Sequence, residues 1–501
     1  MLVLALCCLL GYELMSYGGI RSPDCEIVFQ TSEALVSRGT FALEHGLEGW
    51  TGFGISRGVD GREYSVFGPG QSLAAAPLVD IGQRLAARGT FTKSRTPLPV
   101  SFQVAGGLND FVRHRPGQDR NVNGIRWVAA QFNVIVSTLS VVLFFVVVMR
   151  LVGSLIPAVF ASVMFGFATL TWPYAGTFFS EPLAGLMSLA ALGLLMAGDP
   201  DLGSNQNARL KAVGAGLCLG LAAATHVTAA LFAPFFLAYA AHGRGPLRPR
   251  IGRAMFFLGG LGVVIVLLGW YNAARFGSVF ETGRTAENFI YGVFTNPLRG
   301  FAGLLISPNK GLLWFCPLVW VAAFAWRRFD REHAFLARML LAAAVFRMLF
   351  IASRSDWSGG FSLGPRFLVL LMPYACFPVA LLARDALRAG KQSWRILIAV
   401  GCLLIAQQYY FSLGEIFSFY YQEGWRVTST GVTNLPGDWL YWTWGHSSLV
   451  KLLPGFIGSF ALQQTHLGAW TLFIAGCVVI ALVGVVLAQR VRITPPAAPG
   501  A

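Results

Sequence analysis

The sequence predicts an all-α polytopic membrane protein with about 12 transmembrane helices, and three observations support that class. First, 55% of the 501 residues are hydrophobic and only 12% are charged, with a mean hydropathy of +0.60. Such a chain cannot wrap an apolar core in an ordinary polar skin. Second, apolar runs recur at the length a helix needs to cross hydrocarbon, roughly 17 to 25 residues. Third, much of the net charge of +15 lies in short loops between those runs. In a soluble chain that excess, with a pI near 9.8, would suggest a nucleic-acid partner. Here it is a topology signal, and no nucleic acid is expected.

The first run, Met1 to Tyr17, looks like a signal peptide, but a basic start is missing and no small-x-small site precedes Asp24. It is expected to stay as an uncleaved first span whose true beginning is open to having been trimmed. The next spans are expected at Trp127 to Val152, Leu155 to Trp172 and Pro182 to Ala197. Leu210 to Ala241 is too long for one ordinary span and is read as two short ones, reversing at Thr225-His226. Further spans follow at Phe256 to Phe276, Leu312 to Trp326, Phe335 to Ala352, Phe367 to Ala383, Ile396 to Phe411 and Trp470 to Ala488. Charge decides the two-span reading. It puts Arg150, Lys211, Arg253, Arg328, Arg384 and Arg490 all on one face, the cytoplasmic one, whereas a single span would flip every later loop.

The opposite face then receives a loop of roughly a hundred residues, Gly18 to Arg126, too long to obey the charge rule. Within it, Cys25 to Val36 and Leu73 to Ala87 have the spacing of amphipathic helices in the membrane interface. The segment 412–468 is rich in Tyr and Trp, which suit an interface or a sugar-stacking surface. The 8 cysteines show no paired spacing and are read as small core residues.

Beyond the first span the chain reads Pro23-Asp24-Cys25-Glu26, then Asp60-Gly61-Arg62-Glu63-Tyr64-Ser65-Val66-Phe67-Gly68-Pro69-Gly70. This order resembles the first extracytoplasmic loop of integral-membrane glycosyltransferases with the GT-C fold. The branch it looks like contains protein O-mannosyltransferases and the aminoarabinose transferase of lipid A. Ser180-Glu181-Pro182, the stretch Ser307 to Leu313 and the stretch Trp357 to Arg366 are similar to bacterial members. The resemblance implies a catalytic membrane module over 1–385, followed over 386–501 by further membrane helices with the aromatic loop. It also implies a bacterial inner (plasma) membrane location and an extracytoplasmic active site.

The chemistry follows from location. Outside the cytoplasm there is no nucleotide-sugar pool, so an outward-facing sugar transferase draws on a polyprenyl-phosphate sugar in the lipid. A carboxylate must take the acceptor hydroxyl's proton as it attacks the anomeric carbon from the face opposite the phosphate, inverting the centre. Cations must stabilise the departing lipid phosphate. Asp24 is the expected base with Glu26 beside it, since in an extended segment residues two apart share a side. The phosphate clamp is expected from Arg366, Arg347, Arg354 and Lys310, with Arg347 buried in its span, where a charge must face protein or a polar cavity. Glu181, His226 and, by the resemblance, Tyr64 and Trp357 are assigned to the substrate. No cofactor is fixed by the sequence. A divalent cation is left open, with Asp24, Glu26 and Glu181 as its candidate ligands. The acceptor is a glycan, lipid or protein hydroxyl, and membrane lipids surround the chain.

A transporter or lipid flippase is the competing class. It would have a similar number of spans, but matched halves and ionisable sites near the bilayer midplane. Here the acids collect at one surface.

Overall fold

The computed structural model describes residues 1–16, 18–44, 52–93, 120–199, 207–244, 246–284, 294–413, 416, 419–420, 423 and 439–450. Helices dominate. Helix α1 (Leu2–Met15) leads into α2 (Pro23–Arg38), which starts with Pro in its first turn and ends on Gly39 at φ 65°. A small antiparallel sheet in the order β1-β3-β2 follows, from β1 (Ala42–Leu43), β2 (Ile55–Arg57) and β3 (Glu63–Ser65). Tyr64 sits opposite both Ala42 and Ser56. Helix α3 (Pro69–Ala87) closes this part of the chain.

The bundle is built from α4 (Arg120–Val152), α5 (Leu155–Phe167), α6 (Glu181–Ala197), α7 (Ala208–Thr225), α8 (Ala233–Ala240) and α9 (Leu247–Phe276). It continues through α10 (Pro297–Ile306), α11 (Leu318–Glu332), α12 (Ala334–Ala352), α13 (Met372–Ala389) and α14 (Lys391–Leu413). Among the described residues, 6 helical segments are long and apolar enough to cross a membrane, and five shorter apolar helices accompany them. The chain is an integral membrane protein. The expected span at Trp470 to Ala488 lies outside the described residues.

The run from Leu210 to Ala241 does fold back. His226, in extended conformation, ends α7, and a 3-10 turn over Val227–Phe232 starts the return. Arg253 fixes the far end, donating from Nη1 to Gly198 O at 3.2 Å and from Nη2 to His242 O. Residues 198 and 242 therefore lie together at one end, while His226 lies near Glu181 at the other.

Three expectations need correction. Leu312 to Trp326 is not one span: a short helix over Leu312–Phe315 stops at Cys316, and α11 begins after Pro317. Proline has no N–H to continue the ladder and pushes the residue before it out of the helical region. Leu155 to Trp172 stops at Phe167, and a short helix over Thr171–Ala175 follows. Part of the aromatic segment is buried in protein instead of displayed: Tyr420 donates to Asn309 O at 3.1 Å, and Asn309 Nδ2 donates to Leu440 O at 2.9 Å. Of that segment, Tyr421 and Trp425 lie outside the described residues. Seven described cysteines are free thiols, buried or half-buried except the exposed Cys402.

Candidate active site

Three helix ends and one 3-10 turn meet around a cavity of about 280 Å³. Asp24 comes from the first turn of α2, Glu181 from the start of α6, His226 from the reversal after α7, and Arg366 from a 3-10 turn that follows Pro365. Arg366 is the hub. Its Nη1 donates to Asp24 Oδ2 at 2.9 Å, and its Nε lies 3.1 Å from Glu181 Oε1. The second contact is an ion pair without hydrogen-bond alignment, since Arg366 Nε has no hydrogen-bond partner; Glu181 Oε2 has none either. Glu181 is buried, whereas the Asp24 side chain keeps 23% of its exposure toward the cavity.

Backbone clamps set these positions. Asn133 Nδ2 donates to Thr177 O and Phe179 O, each at 2.8 Å, which fixes the approach to Glu181. The loop before Arg366 turns through Gly359, Gly360 and Gly364 at φ 73°, 67° and 55°, where side chains are strained. Lys310 Nζ holds that loop, donating to Gly360 O at 2.7 Å and Ser362 O at 2.5 Å. Arg347 staples the two turns of the site, with Nη1 to Thr228 O at 2.6 Å and Nη2 to Phe367 O at 2.9 Å. Gly68 and Gly70 serve a close approach to the end of α7. A Cβ on them would stand 2.2 Å from Ala224 O and 2.3 Å from Thr225 Oγ1.

The cavity thus gathers Asp24, Glu181, His226, Arg354 and Arg366. Glu26, Lys310, Arg347, Tyr64 and Trp357 are not among its lining residues. The extended-segment premise for Glu26 fails because residues 24–26 form a helical turn, where side chains two apart point about 200° apart. Glu26 is instead buried against Arg126, accepting from Nη2 at 2.5 Å and from Nε at 3.2 Å. Lys310 and Arg347 are fully buried and give their donors to backbone carbonyls. Burial, and then Arg366, push the Lys310 amine well below its usual range. Tyr64 donates to Asp60 Oδ2 at 2.7 Å in the small sheet, and Trp357 is buried beneath α10, where it leaves Gly303 no room for a Cβ. Arg354 lines the cavity but is gripped by both oxygens of Asp356 at 2.7 Å.

His226 Nδ1 shares a 2.8 Å hydrogen bond with Thr228 Oγ1, and its Nε2 lies 3.7 Å from Glu181 Oε1. Burial pushes its basicity well below the ordinary imidazole value, and Arg347, Arg366, Arg284 and Arg354 add to the effect. This environment favours the neutral ring, which can donate or accept one hydrogen bond from a polar ligand.

The three candidate ligands for a divalent cation are each paired with an arginine in this arrangement. Asp24 and Glu181 share a guanidinium, and Glu26 is paired with Arg126 outside the cavity. No group of three or more His, Cys, Asp or Glu side chains suited to a metal occurs among the described residues.

Sequence reasoning missed Arg275, Arg284, Asn272 and Asp356, all of which line the cavity. Arg275 sits in the last turn of an apolar helix, just before Gly277. There a cation is what the helix dipole and snorkelling would favour anyway. No local pattern marked it as a cavity residue.

No family model matches the sequence, and no curated protein matches it. Solved structures do match. The chain is similar to the oligosaccharyltransferase of Archaeoglobus fulgidus in its apo form, at 12% identity and a TM-score of 0.49, over 87% of this chain and 60% of that one. It is also similar to ArnT from Cupriavidus metallidurans bound to undecaprenyl phosphate, at 14% identity and a TM-score of 0.49, over 95% of this chain and 74% of that one. The chain spans less than two thirds of the length of the first.

Proposed function

We propose that this chain is an integral-membrane glycosyltransferase of the GT-C type, moving a sugar from a polyprenyl-phosphate-linked donor to an acceptor hydroxyl with inversion. The supporting observation is the Asp24–Arg366 contact, which joins residues 342 apart in sequence inside a cavity at one end of a membrane helix bundle. A base needs an oxygen free to take a proton while its orientation is fixed. Arg366 fixes Asp24 through Oδ2 and leaves Oδ1 for the acceptor.

The acceptor oxygen forms a bond to the anomeric carbon while Asp24 takes its proton. The bond from that carbon to the phosphate oxygen breaks, and its electron pair leaves with the lipid phosphate. Arg366 and Arg354 stabilise charge on the reacting groups, and Glu181 and His226 hydrogen-bond the sugar hydroxyls. A cavity of about 280 Å³ suits a sugar phosphate, since pockets for larger ligands run from about 300 to 1,000 Å³. The isoprenoid tail then lies outside it, along the lipid face of α9, where Val263, Val266, Leu267 and Trp270 are exposed. On this reading the cavity end faces the extracytoplasmic side, because the basic loops occupy the other end, and the membrane is a bacterial inner membrane. The acceptor belongs to a glycan, a lipid or a protein.

The test is transfer of radiolabelled sugar from synthetic polyprenyl-phosphate donors to envelope acceptors by the chain in nanodiscs. Label should move to the acceptor and release polyprenyl phosphate. No transfer from any common donor, together with transbilayer movement of the intact lipid in liposomes, would sink the proposal in favour of a flippase.

A further inference from the structure

The arginines at the cavity are held in different ways. Arg366 is shared by Asp24 and Glu181, and Arg354 is bound by Asp356. Among the described residues, Arg275 has only neutral partners. Its Nη1 donates to Ser65 O at 2.7 Å, Nη2 to Asn272 Oδ1 at 3.1 Å and Nε to Tyr271 O at 3.3 Å. Its guanidinium carbon lies 3.7 Å from the centre of the Tyr271 ring and 4.5 Å from that of Phe276. The residue is only 5% exposed, yet it lines the cavity beside Asn272 and Phe67.

A guanidinium carries five N–H donors. Three are used here, which leaves one on each terminal nitrogen. Ring faces and the carbonyl end of α9 offset part of the cost of burying this charge. Neither supplies the counter-ion that a buried cation ordinarily has. The wall around it is formed by β3 and the end of α9, elements distinct from those that carry Asp24, Glu181 and Arg366.

We propose that Arg275 is the anion seat of the cavity, taking the phosphate group of the ligand through its two remaining N–H donors. This rests on the lipid-phosphate donor proposed above. It moves the departing phosphate away from Lys310 and Arg347, whose donors are already given to carbonyls. The cavity then has two poles: Asp24 with Arg366 handles the acceptor proton, and Arg275 receives the leaving group.

The test measures binding of three probes to the full chain in nanodiscs: a prenyl monophosphate, the matching prenyl alcohol, and inorganic phosphate. Arg275→Met should weaken the prenyl monophosphate roughly 30-fold or more, the scale of losing one partner of a buried charge-assisted contact. The alcohol should bind as before. Arg275→Lys keeps a charge and the stem over Tyr271 but loses the fork, so it should recover part of the loss. Should Arg275→Met fail to fold, the lysine variant carries the test through its phosphate-to-alcohol ratio, because a purely structural defect would weaken both probes together. Equal loss for both probes, or no loss in a folded variant, overturns the inference. If the parental chain binds inorganic phosphate through Arg275 but neither prenyl probe, the anion seat stands and the lipid-donor proposal falls. If the parental chain binds none of the three, the anion seat is also wrong.

Discussion

The two ends of the helix bundle use the same residue types to opposite purposes. At the cavity end, Glu26 and Glu181 are each 2% exposed, and their partners Arg126 and Arg366 are 8% and 13% exposed. At the other end, Arg328 bonds Glu332 at 2.9 Å and Asp385 at 3.2 Å, with the arginine 45% exposed and both acids 30% exposed. Arg338 meets Asp330 there at 2.8 Å. The distances are alike, so geometry does not separate the two sets. Solvent does: a unit pair at 4 Å is worth about 1 kcal/mol in water and about 4 kcal/mol at an effective dielectric near 20. The exposed Arg328 and Arg338 pairs can be rearranged at little cost, although Arg384, 12% exposed, joins Glu332 there; the buried Glu26–Arg126 and Glu181–Arg366 charges depend on their partners. Arg275, which has no acid partner among the described residues, is on this contrast the arginine we assign to a ligand's charge.

Substitutions at both ends sharpen this contrast, and the largest effect is expected at Asp24. Asp24→Asn keeps the shape and the contact to Arg366 but cannot take the acceptor proton. Single-turnover transfer should fall about 100- to 10,000-fold, with donor binding retained. Parental turnover would remove Asp24 from the chemistry. Glu26→Gln is expected to act on stability, since it leaves Arg126 buried without its counter-charge. A loss of about 3 to 5 kcal/mol is the scale for breaking such a pair, read as the unfolding midpoint in nanodiscs. The protein that does fold should turn over near the parental rate, and a collapse in turnover with unchanged stability would restore Glu26 as a catalytic candidate.

His226 gives a pH signature at the same end. Its folded-state basicity lies well below the ordinary value. The unfolded chain therefore binds the extra proton first, and stability is lost as pH falls through the unfolded value near 6.5. One such group contributes up to about 1.4 kcal/mol per pH unit. His226→Gln should flatten that acid limb, and an unchanged slope would show that the ring is protonated in the fold. The smallest effect belongs to the exposed end. Asp330→Asn, which removes the partner of the exposed Arg338, should barely move the unfolding midpoint, and less still at high salt. A loss as large as that of Glu26→Gln would erase the difference between the two ends.

How much of this was legible beforehand varied with the kind of information. Hydropathy and short-loop charge are read along the chain, and they placed the membrane class, nearly every long helix and the reversal at His226. Chemistry together with the family resemblance singled out Asp24, Glu181, His226, Arg354 and Arg366, and all five line one cavity. What each charge does was decided only by its partner in space. Glu26 and Arg126 are 100 residues apart, and Arg347 reaches Thr228 across 119. Spacing along a helix or strand carries no signal about such pairs. Lys310, Arg347 and Arg275 are all cations near a span end, and by sequence all three serve equally as phosphate ligands or as snorkelling side chains. Tertiary packing separates them: the first two spend their donors on backbone carbonyls, and Arg275 keeps two N–H groups and a place on the cavity wall. Hydropathy is a property of each segment and survives in one dimension, whereas the partner of a buried charge exists only once distant segments have packed.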